Sequence, residues 1–262
     1  MLSHRLLLKS GYISQLSAGI FSFTPMGWRV ISNIKKIIDE EMKNINCFES
    51  NLPVIQPSDI WKQSGRIDSF IPPLANFQDR RDKKMIIAPT HEEAVIDLVK
   101  NYLRSFRDLP FSLYHIQTKF RDETRPRGGL LRVREFEMKD AYSFHADEKS
   151  LDETFEKFSE AYFNIFKRCG LNVVKVAADS GAIGGKVSSE FVSLSDSGED
   201  TILMCDSCSY SANEEKAEFI RFVKEPLNYE SKKEVETVGI TSIDQLSEYF
   251  KLGKENFLKT MV

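Results

Sequence analysis

The sequence predicts an α+β fold in which an antiparallel sheet is flanked by helices. Residues 119–145 contain two alternating stretches around a loop with Gly128 and Gly129, which indicates a β-hairpin. Apolar residues spaced by three and four between Met26 and Ile45 indicate an amphipathic helix. Because helices are expected both between and outside the strands, we predict one α+β domain over residues 1–222.

The elements before the hairpin are predicted to be short. Glycines and a proline interrupt residues 1–25, which favours turns and strands over a long helix. Residues 48–57 are typical of a strand broken by prolines, and such a strand belongs at a sheet edge or an interface. Residues 61–66 predict a short helix and residues 85–88 a short strand.

Two longer helices are predicted on either side of the hairpin, each with a capping box at its start. In a capping box, Ser or Thr at the helix start is followed three residues later by Glu. Thr90 with Glu93 fits this pattern for the first helix, and Glu92 is left unexplained by it. Ser150 with Glu153 fits it for the second helix, which is expected to end at Gly170.

The remaining chain predicts short strands and then the start of a second unit. Strands are expected over residues 171–177, 190–195 and 201–204. From Lys224 the sequence is polar and linker-like, and a short helix is expected after Thr241 and Ser242. Residues 223–262 are too few to bury a good core alone, so we expect them to be the truncated start of another domain.

Composition excludes some classes of protein and leaves others open. With 262 residues, 41% hydrophobic residues and a net charge of -3, the chain is ordinary for a globular protein and gives no global sign of DNA binding. No apolar run approaches the roughly 18 residues needed to span a bilayer, and no signal peptide is apparent, so we expect a cytoplasmic protein without a membrane partner. The four cysteines are expected to be reduced thiols.

The residues around the hairpin loop favour an anionic, planar ligand. Arginine binds phosphate well because its planar, permanently charged fork donates two parallel hydrogen bonds. Five arginines occupy positions 121–134: Arg121, Arg125, Arg127, Arg132 and Arg134. The pattern is neither a Walker loop nor a dinucleotide fingerprint. A solvated, charged hairpin is the alternative, since loops are usually polar.

Strand alternation predicts which residues share the ligand-binding face of the hairpin. Residues of one parity after the loop are expected to point to the same side. They are Arg132, Arg134, Phe136, Met138, Asp140 and Tyr142. Phe136 is suited to stacking on a base, and Glu123 to accepting a hydrogen bond from an exocyclic amine.

No metal site is predicted. Cys205 and Cys208 form one half of a zinc site, but a structural zinc ion normally takes four ligands and no second pair follows. His91, His115 and His145 each fit a structural role better than the role of a catalytic base.

Several separated motifs carry a resemblance to a known family. Phe120-Arg121-Asp122-Glu123, a loop, and then Arg132, Phe136 and Asp140 resemble motif two of the class II aminoacyl-tRNA synthetases. More narrowly, RPRGGLLRVREFEMKDAYSFH with APTHEE and WKQSGR resembles the bacterial-type prolyl-tRNA synthetases. The helix and strand ending at Pro53 resemble motif one, whose proline lies at the dimer interface in that family.

The resemblance implies a role for each matching residue. Arg121 would bind the α-phosphate of ATP as the catalytic residue, Glu123 would bind the adenine amino group, and Phe136 would stack on adenine. Arg132 would support the nucleotide. The residues implied to bind proline are Thr90, Glu92, Met138, Asp140 and Tyr142. The implied reaction forms prolyl-adenylate from proline and ATP with Mg²⁺ and transfers proline to tRNA(Pro), in a homodimer.

The sequence also departs from the family pattern. Ser189 stands where relatives usually carry histidine. Motif three, the anticodon-binding domain and about twenty initial residues are absent, so the chain is expected to be an amino-terminal fragment that ends within an inserted editing domain. Two alternatives stay open: a non-catalytic module that binds ATP, proline or a partner chain, and another class II synthetase such as the threonyl or seryl enzyme.

Overall fold

A computed structural model describes residues 1–180, 185, 187–195, 198, 200–218 and 234–257. The chain divides into two compact units, Met1–Ala217 and Glu218–Val262. Most of the linker-like segment predicted from Lys224 lies outside the described residues, as do residues 181–184 and 186.

The first unit is an α+β fold, as predicted. Its helices are α1 (Leu2–Lys9), α2 (Pro25–Asn44), α3 (Ser58–Gln63), α4 (Glu92–Tyr102) and α5 (Glu148–Arg168), with a short 3-10 turn at Phe106–Asp108. Its strands are β1 (Ile13–Ser17), β2 (Ile20–Phe23), β3 (Phe48–Glu49), β4 (Ile55–Pro57), β5 (Asn76–Gln78), β6 (Lys84–Ile87), β7 (Phe111–Phe120), β8 (Glu135–Phe144), β9 (Val174–Ala178), β10 (Ser188–Val192), β11 (Ile202–Met204) and β12 (Ser211–Asn213).

The β7–β8 hairpin organises the sheets of this unit. Its two ten-residue strands pair antiparallel along their whole length, and β3 runs parallel to β7 at the other edge. Strands β4, β6 and β5 form a second antiparallel sheet, and a hydrogen bond from the Phe120 amide to the Ala88 carbonyl joins the end of β7 to the segment after β6. The order β10-β9-β12-β11 forms a third sheet.

One face of the hairpin is covered by helices α2 and α5. The amphipathic pattern from Met26 to Ile45 correctly predicts α2, which begins at Pro25 behind an N-cap at Thr24. The buried apolar cluster on this side consists of Met42, Cys47, Tyr114, Phe158, Ala161 and Ile165. The opposite face of the hairpin carries a second buried apolar cluster, which joins Leu113 of β7 to Val95 and Val99 of α4 and to Leu52.

Both predicted capping boxes are wrong. Helix α5 begins at Glu148, two residues before Ser150, and Asp147 is its cap, accepting a hydrogen bond from the Ser150 amide at 2.8 Å. The N-cap of α4 is His91, which makes no side-chain cap bond. At α5 the earlier acid Asp147 caps the helix, and at α4 the Glu93 carboxylate is bound by Ser64 and Arg66.

Other boundaries differ more modestly. The expected turns and strands before residue 25 include an eight-residue helix, α1, and the helix predicted over residues 61–66 begins at Ser58. Strand β8 begins at Glu135, so Arg132 and Arg134 lie in the loop instead of on the strand face. All four cysteines are free.

In the second unit, the predicted short helix is α6 (Ile243–Phe250), followed by a 3-10 turn at Lys254–Asn256. Ser242 and Gln245 form a capping box at its start. Across the part of the chain that the structure describes, no helix is both long enough and apolar enough to cross a bilayer.

Candidate ligand-binding site

The face of the hairpin turned away from α2 and α5 carries a buried ionic group. The register places His115 opposite Asp140 and Lys119 opposite Phe136. Residues at i and i+4 on one strand share a face, so Lys119 and His115 both point to the side of Asp140. Lys119 is 0% exposed and His115 1% exposed.

Asp140 is bound on both carboxylate oxygens. Its Oδ1 lies 2.8 Å from Lys119 Nζ, and its Oδ2 lies 2.9 Å from His115 Nε2 and accepts a hydrogen bond from the Tyr142 hydroxyl. Although burial opposes ionisation, these donors together lower the pKa of Asp140 to about 2. Asp140 is therefore a carboxylate at neutral pH, and its oxygens are already engaged by protein groups.

His91 completes this group from the start of α4. Its Nε2 lies 3.1 Å from the Pro53 carbonyl oxygen, which can only accept, so Nε2 carries the proton and Nδ1 is an acceptor. Lys119 Nζ lies 2.6 Å from that Nδ1. Burial and the nearby positive charge of Lys119 lower the pKa of His91 to about 4, so its ring is neutral.

The predicted amine-binding residues Thr90 and Glu92 adjoin this group. The Thr90 hydroxyl donates to Glu92 Oε2, and Tyr142 lies near Thr90. A contact chain thus runs from Glu92 through Thr90 and Tyr142 to Asp140. Burial and the carboxylate of Asp140 raise the pKa of Tyr142, which keeps its hydroxyl protonated as a donor.

Arg66, which follows α3, holds the two acids of the THEE segment. Its Nη1 lies 3.0 Å from Glu93 Oε1 and 3.5 Å from Glu92 Oε2. Ser64 also donates to Glu93 at 2.9 Å. Glu93 is thus held by α3 and does not cap α4. Beside these residues, an open cavity of about 260 Å³ lies between α3 and α4.

The residues predicted to bind the nucleotide form two pairs. Arg121 donates through Nε to the Pro89 carbonyl at 3.3 Å, and its guanidinium carbon lies 5.5 Å from the centroid of the Phe136 ring. In the second pair, Arg132 Nε and Nη2 lie 3.0 and 2.9 Å from Glu123 Oε2. A cation suited to phosphate and an aromatic ring suited to a base are therefore neighbours.

The loop between the strands packs against the first residues of the chain. The Gly19 carbonyl accepts a hydrogen bond from the Arg134 amide at 2.8 Å. Gly19 and Gly129 both have positive φ, and an added Cβ would lie 2.7 Å from Pro126 Cβ at Gly19 and 2.6 Å from His4 Cβ at Gly129. These two glycines are thus required both by backbone conformation and by close approach.

The structure brings most of the predicted residues into contact but separates a few. Thr90 is hydrogen-bonded to Glu92 and Tyr142 to Asp140, and these two pairs are neighbours. Met138 is placed on the same face by strand alternation alone. Pro53, predicted at a dimer interface, is exposed. Ser189 lines a different cavity, of about 210 Å³, on the α5 side of the hairpin.

Sequence reasoning missed the roles of Lys119, His91 and His115. A signal was present, because His115 and Lys119 have the same parity on the predicted strand over residues 113–120. Three ligand atoms of His91, His115 and Asp140 lie within 4.8 Å of one another, as in a metal site. Lys119 Nζ contacts all three residues, at 2.6, 3.1 and 2.8 Å.

Comparisons with known proteins identify the family of this chain. Residues 76–261 match the family model described as "tRNA synthetase class II core domain (G, H, P, S and T)". The proline–tRNA ligase of Dehalococcoides mccartyi is 50% identical over 262 residues, which cover 99% of this chain and 46% of that protein. The proline–tRNA ligase of Halothermothrix orenii is 48% identical over 263 residues, with 100% and 46% coverage.

A solved structure shares the fold at low sequence identity. The prolyl-tRNA synthetase of Cryptosporidium parvum, complexed with halofuginone and AMPPNP, superposes with a TM-score of 0.65 at 19% identity. The match covers 71% of this chain and 40% of that one. The chain spans about half the length of the curated relatives it matches.

Proposed function

This chain belongs to the class II tRNA synthetase core-domain family, and from that premise we propose that it serves as a proline–tRNA ligase. In this reaction, the carboxylate of proline attacks the α-phosphorus of ATP, which gives prolyl-adenylate and releases pyrophosphate. The prolyl group is then transferred to the terminal ribose of tRNA(Pro). The observation that carries the proposal is the contact chain joining Glu92, Thr90, Tyr142 and Asp140 on one face of the hairpin.

The amino acid would bind through its amine at Glu92. The Glu92 side chain is 35% exposed, so a ligand can reach it, while Thr90 and Arg66 hold one of its oxygens. A secondary ammonium needs such a carboxylate, and Met138 on the same face supplies apolar surface for the pyrrolidine ring. Asp140 would act by orienting Tyr142, because its own oxygens are already engaged.

The nucleotide would bind along the start of β8 and the loop before it. Arg121 would neutralise charge on the α-phosphate, and Phe136 beside it would stack on the adenine. Glu123 would accept a hydrogen bond from the adenine amino group while Arg132 holds its carboxylate in place. No side-chain nucleophile is needed, because catalysis in this reaction rests on positioning and charge neutralisation.

Mg²⁺ would enter with the ATP phosphates. It prefers carboxylate and phosphate oxygens, and the two carboxylates beside Arg121, Asp122 and Glu123, are paired with Arg134 and Arg132. These residues therefore fit a metal ion held mainly by the nucleotide. A magnesium ion would neutralise phosphate charge when bound.

The proposal also includes a homodimer and a division of the chain into two domains. Pro53 is exposed between β3 and β4, and Phe48 and Ile55 near it are 60% and 41% exposed, which supports a homodimer through this edge. Residues 1–222 would form the catalytic domain and residues 223–262 the start of an inserted editing-type domain. A role in translation places the protein in the cytoplasm.

A non-catalytic module remains the second candidate. The chain spans about half the length of the curated relatives it matches. Such a module would bind ATP, proline or a partner chain without forming adenylate.

Proline-dependent exchange of pyrophosphate into ATP by the purified chain separates the two. Exchange is expected for the ligase, and binding of AMPPNP and proline without exchange would support the module instead. Absence of proline binding would refute the proposed site. Arg121→Ala is expected to weaken AMPPNP binding at least about a hundredfold, because it removes the charge-assisted phosphate contact. Arg107→Ala is the matched control, since Arg107 is an exposed arginine on the 3-10 turn before β7; equal losses in both variants would contradict our placement of the phosphate.

A further inference from the structure

Lys119 has a position that the proposed ligand contacts do not explain. It is 0% exposed, and its ammonium group can donate three hydrogen bonds. Two acceptors lie next to it, His91 Nδ1 at 2.6 Å and Asp140 Oδ1 at 2.8 Å, and His115 Nε2, which donates to Asp140, lies 3.1 Å away. A buried ammonium is costly unless it is paired in this way.

Two imidazoles and one carboxylate around a cation are the ligand set of a transition-metal site. Here the ligand atoms of His91, His115 and Asp140 converge to within 4.8 Å of one another. The outer nitrogen of His91 also donates to a backbone carbonyl, as the outer nitrogens of metal-bound histidines commonly do. Lys119 Nζ occupies the position that a metal ion would take.

We propose that Lys119 is an internal cation that takes the place of a metal ion, and that it positions the amino-acid site through the residues that it contacts. The inference rests on the proposed function for its ligand, proline. Lys119 keeps Asp140 ionised and fixed in position. Asp140 in turn orients the Tyr142 hydroxyl. Tyr142 and Thr90 adjoin Glu92, which is the expected acceptor of the proline amine. Lys119, His91 and His115 are thus positioning residues.

The charges of the surrounding elements are consistent with this role. Strand β8 contributes Asp140 and Tyr142, helix α4 contributes Glu92, and the edge-to-face rings of His91 and His115 lie beside the ammonium. Arg121 opposes the charge of Lys119, whereas Asp140 and Glu92 favour it. The buried positive charge of Lys119 therefore balances the buried negative charge of Asp140. The partly exposed carboxylate of Glu92 remains available to attract a ligand amine.

The first test measures proline affinity by calorimetry. Lys119→Met keeps the length of the side chain and removes its charge, and we expect it to weaken proline binding at least about tenfold, as loss of supporting residues does in metal sites. Lys139→Met is the matched control, because Lys139 is the other lysine of the hairpin, is partly buried and points to the opposite face. It should bind proline within about twofold of the unchanged chain. A folded Lys119→Met protein with unchanged affinity would overturn the positioning role.

The second test uses Co²⁺ as a probe of the vacated space. In a background with Cys205→Ser and Cys208→Ser, Lys119→Gly is expected to bind one Co²⁺ per chain with visible absorption bands, and adding His115→Ala should abolish them. The chain that retains Lys119 should show no such bands. Bands that depend on His115 while Lys119 is present would refute the assignment of Lys119 to the metal position.

The third test needs no variant and no ligand. Nitrogen chemical shifts of the histidine side chains should show His91 as the neutral tautomer with its proton on Nε2 at pH 6. A proton on His91 Nδ1 at this pH would overturn the assignment of Lys119 as its donor. If proline fails to bind the unchanged chain, the proposed function fails, whereas the cobalt and tautomer measurements still decide the role of Lys119 as an internal cation.

Discussion

The two faces of the β7–β8 hairpin bury different chemistry on the same backbone. On one face, Lys119 is paired with Asp140 and two imidazoles. On the other, Lys139 donates to the Tyr162 hydroxyl at 2.7 Å and lies 4.0 Å from the centre of that ring, among apolar residues from α2 and α5. Each face thus contains a lysine, but only one lysine meets a carboxylate.

This difference shows what an ion pair contributes inside a protein. Burial lowers the pKa of Lys139 to about 8, because a phenol and an aromatic face compensate only part of its lost hydration. At Lys119 the Asp140 carboxylate opposes the same burial effect on the pKa. Both faces also pack apolar residues against helices, so the two faces differ in the pairing of their lysines.

The largest effect is expected from breaking the ion pair on the charged face. Asp140→Leu leaves Lys119 buried without its anion, and we expect the free energy of unfolding to fall by about 3–5 kcal/mol. Urea denaturation at pH 7 measures this. In the double variant Lys119→Met with Asp140→Leu, neither charge remains, so at least half of the loss should be recovered. A double variant as unstable as Asp140→Leu would show that the lysine is not the source of the penalty.

On the face that carries Lys139, removing the lysine is expected to increase the free energy of unfolding. Lys139→Met removes an unpaired buried charge at the cost of one hydrogen bond, so the free energy of unfolding at pH 7 should rise by about 1–3 kcal/mol. The folded pKa of about 8 lies below the usual 10.5, so the penalty is complete below pH 8 and is relieved as the pH rises towards 10.5. The advantage of the variant should therefore shrink between pH 8 and pH 10. A difference that stays constant over this range would contradict the depressed pKa.

A smaller loss is expected from uncapping the helix that covers the apolar face. Asp147→Ala removes the acceptor for the Ser150 amide at the start of α5. The free energy of unfolding should fall by about 1 kcal/mol. Asp147→Ser retains a capping oxygen and should restore most of this, whereas a matching loss in Glu153→Ala would revive the capping box that the sequence suggested.

The smallest effect on stability is expected in the loop on the charged side. Arg132 is exposed and pairs with Glu123, so Arg132→Ala should change the free energy of unfolding by less than about 1 kcal/mol. If Arg132 supports the nucleotide, the same variant should weaken AMPPNP binding several-fold in a titration. A loss of stability without a loss of affinity would assign the pair to the fold alone.

Regular periodicity predicted the main helices and strands well, whereas tertiary contacts decided the helix caps. Helix α2 and the hairpin follow from spacing because burial on one face repeats with the backbone. The caps of α4 and α5 were not predicted correctly from spacing. Glu93 is bound by Arg66 from another element, and Asp147 precedes Ser150 in the chain. Competition of this kind cannot be read from a local motif.

In the candidate site, too, local motifs predicted some residues, whereas residues brought together by tertiary contacts were missed. Motif similarity identified Thr90, Glu92, Arg121 and Phe136, and the structure places them in two neighbouring groups; their roles stay predictions. The cluster around Lys119 was missed because its members come from α4, β7 and β8. Only the strand register, which brings His115 opposite Asp140, shows that they meet.

The close packing of Gly19 and Gly129 has a consequence for how this sequence can vary. Any side chain at either position collides with Pro126 or His4, far from the atoms that would react. In a library of random variants selected for nucleotide binding, both positions should therefore stay glycine while exposed loop residues such as Leu131 vary freely. The first twenty residues would then be under the same selection as the arginine loop, although they contribute no group to the ligand.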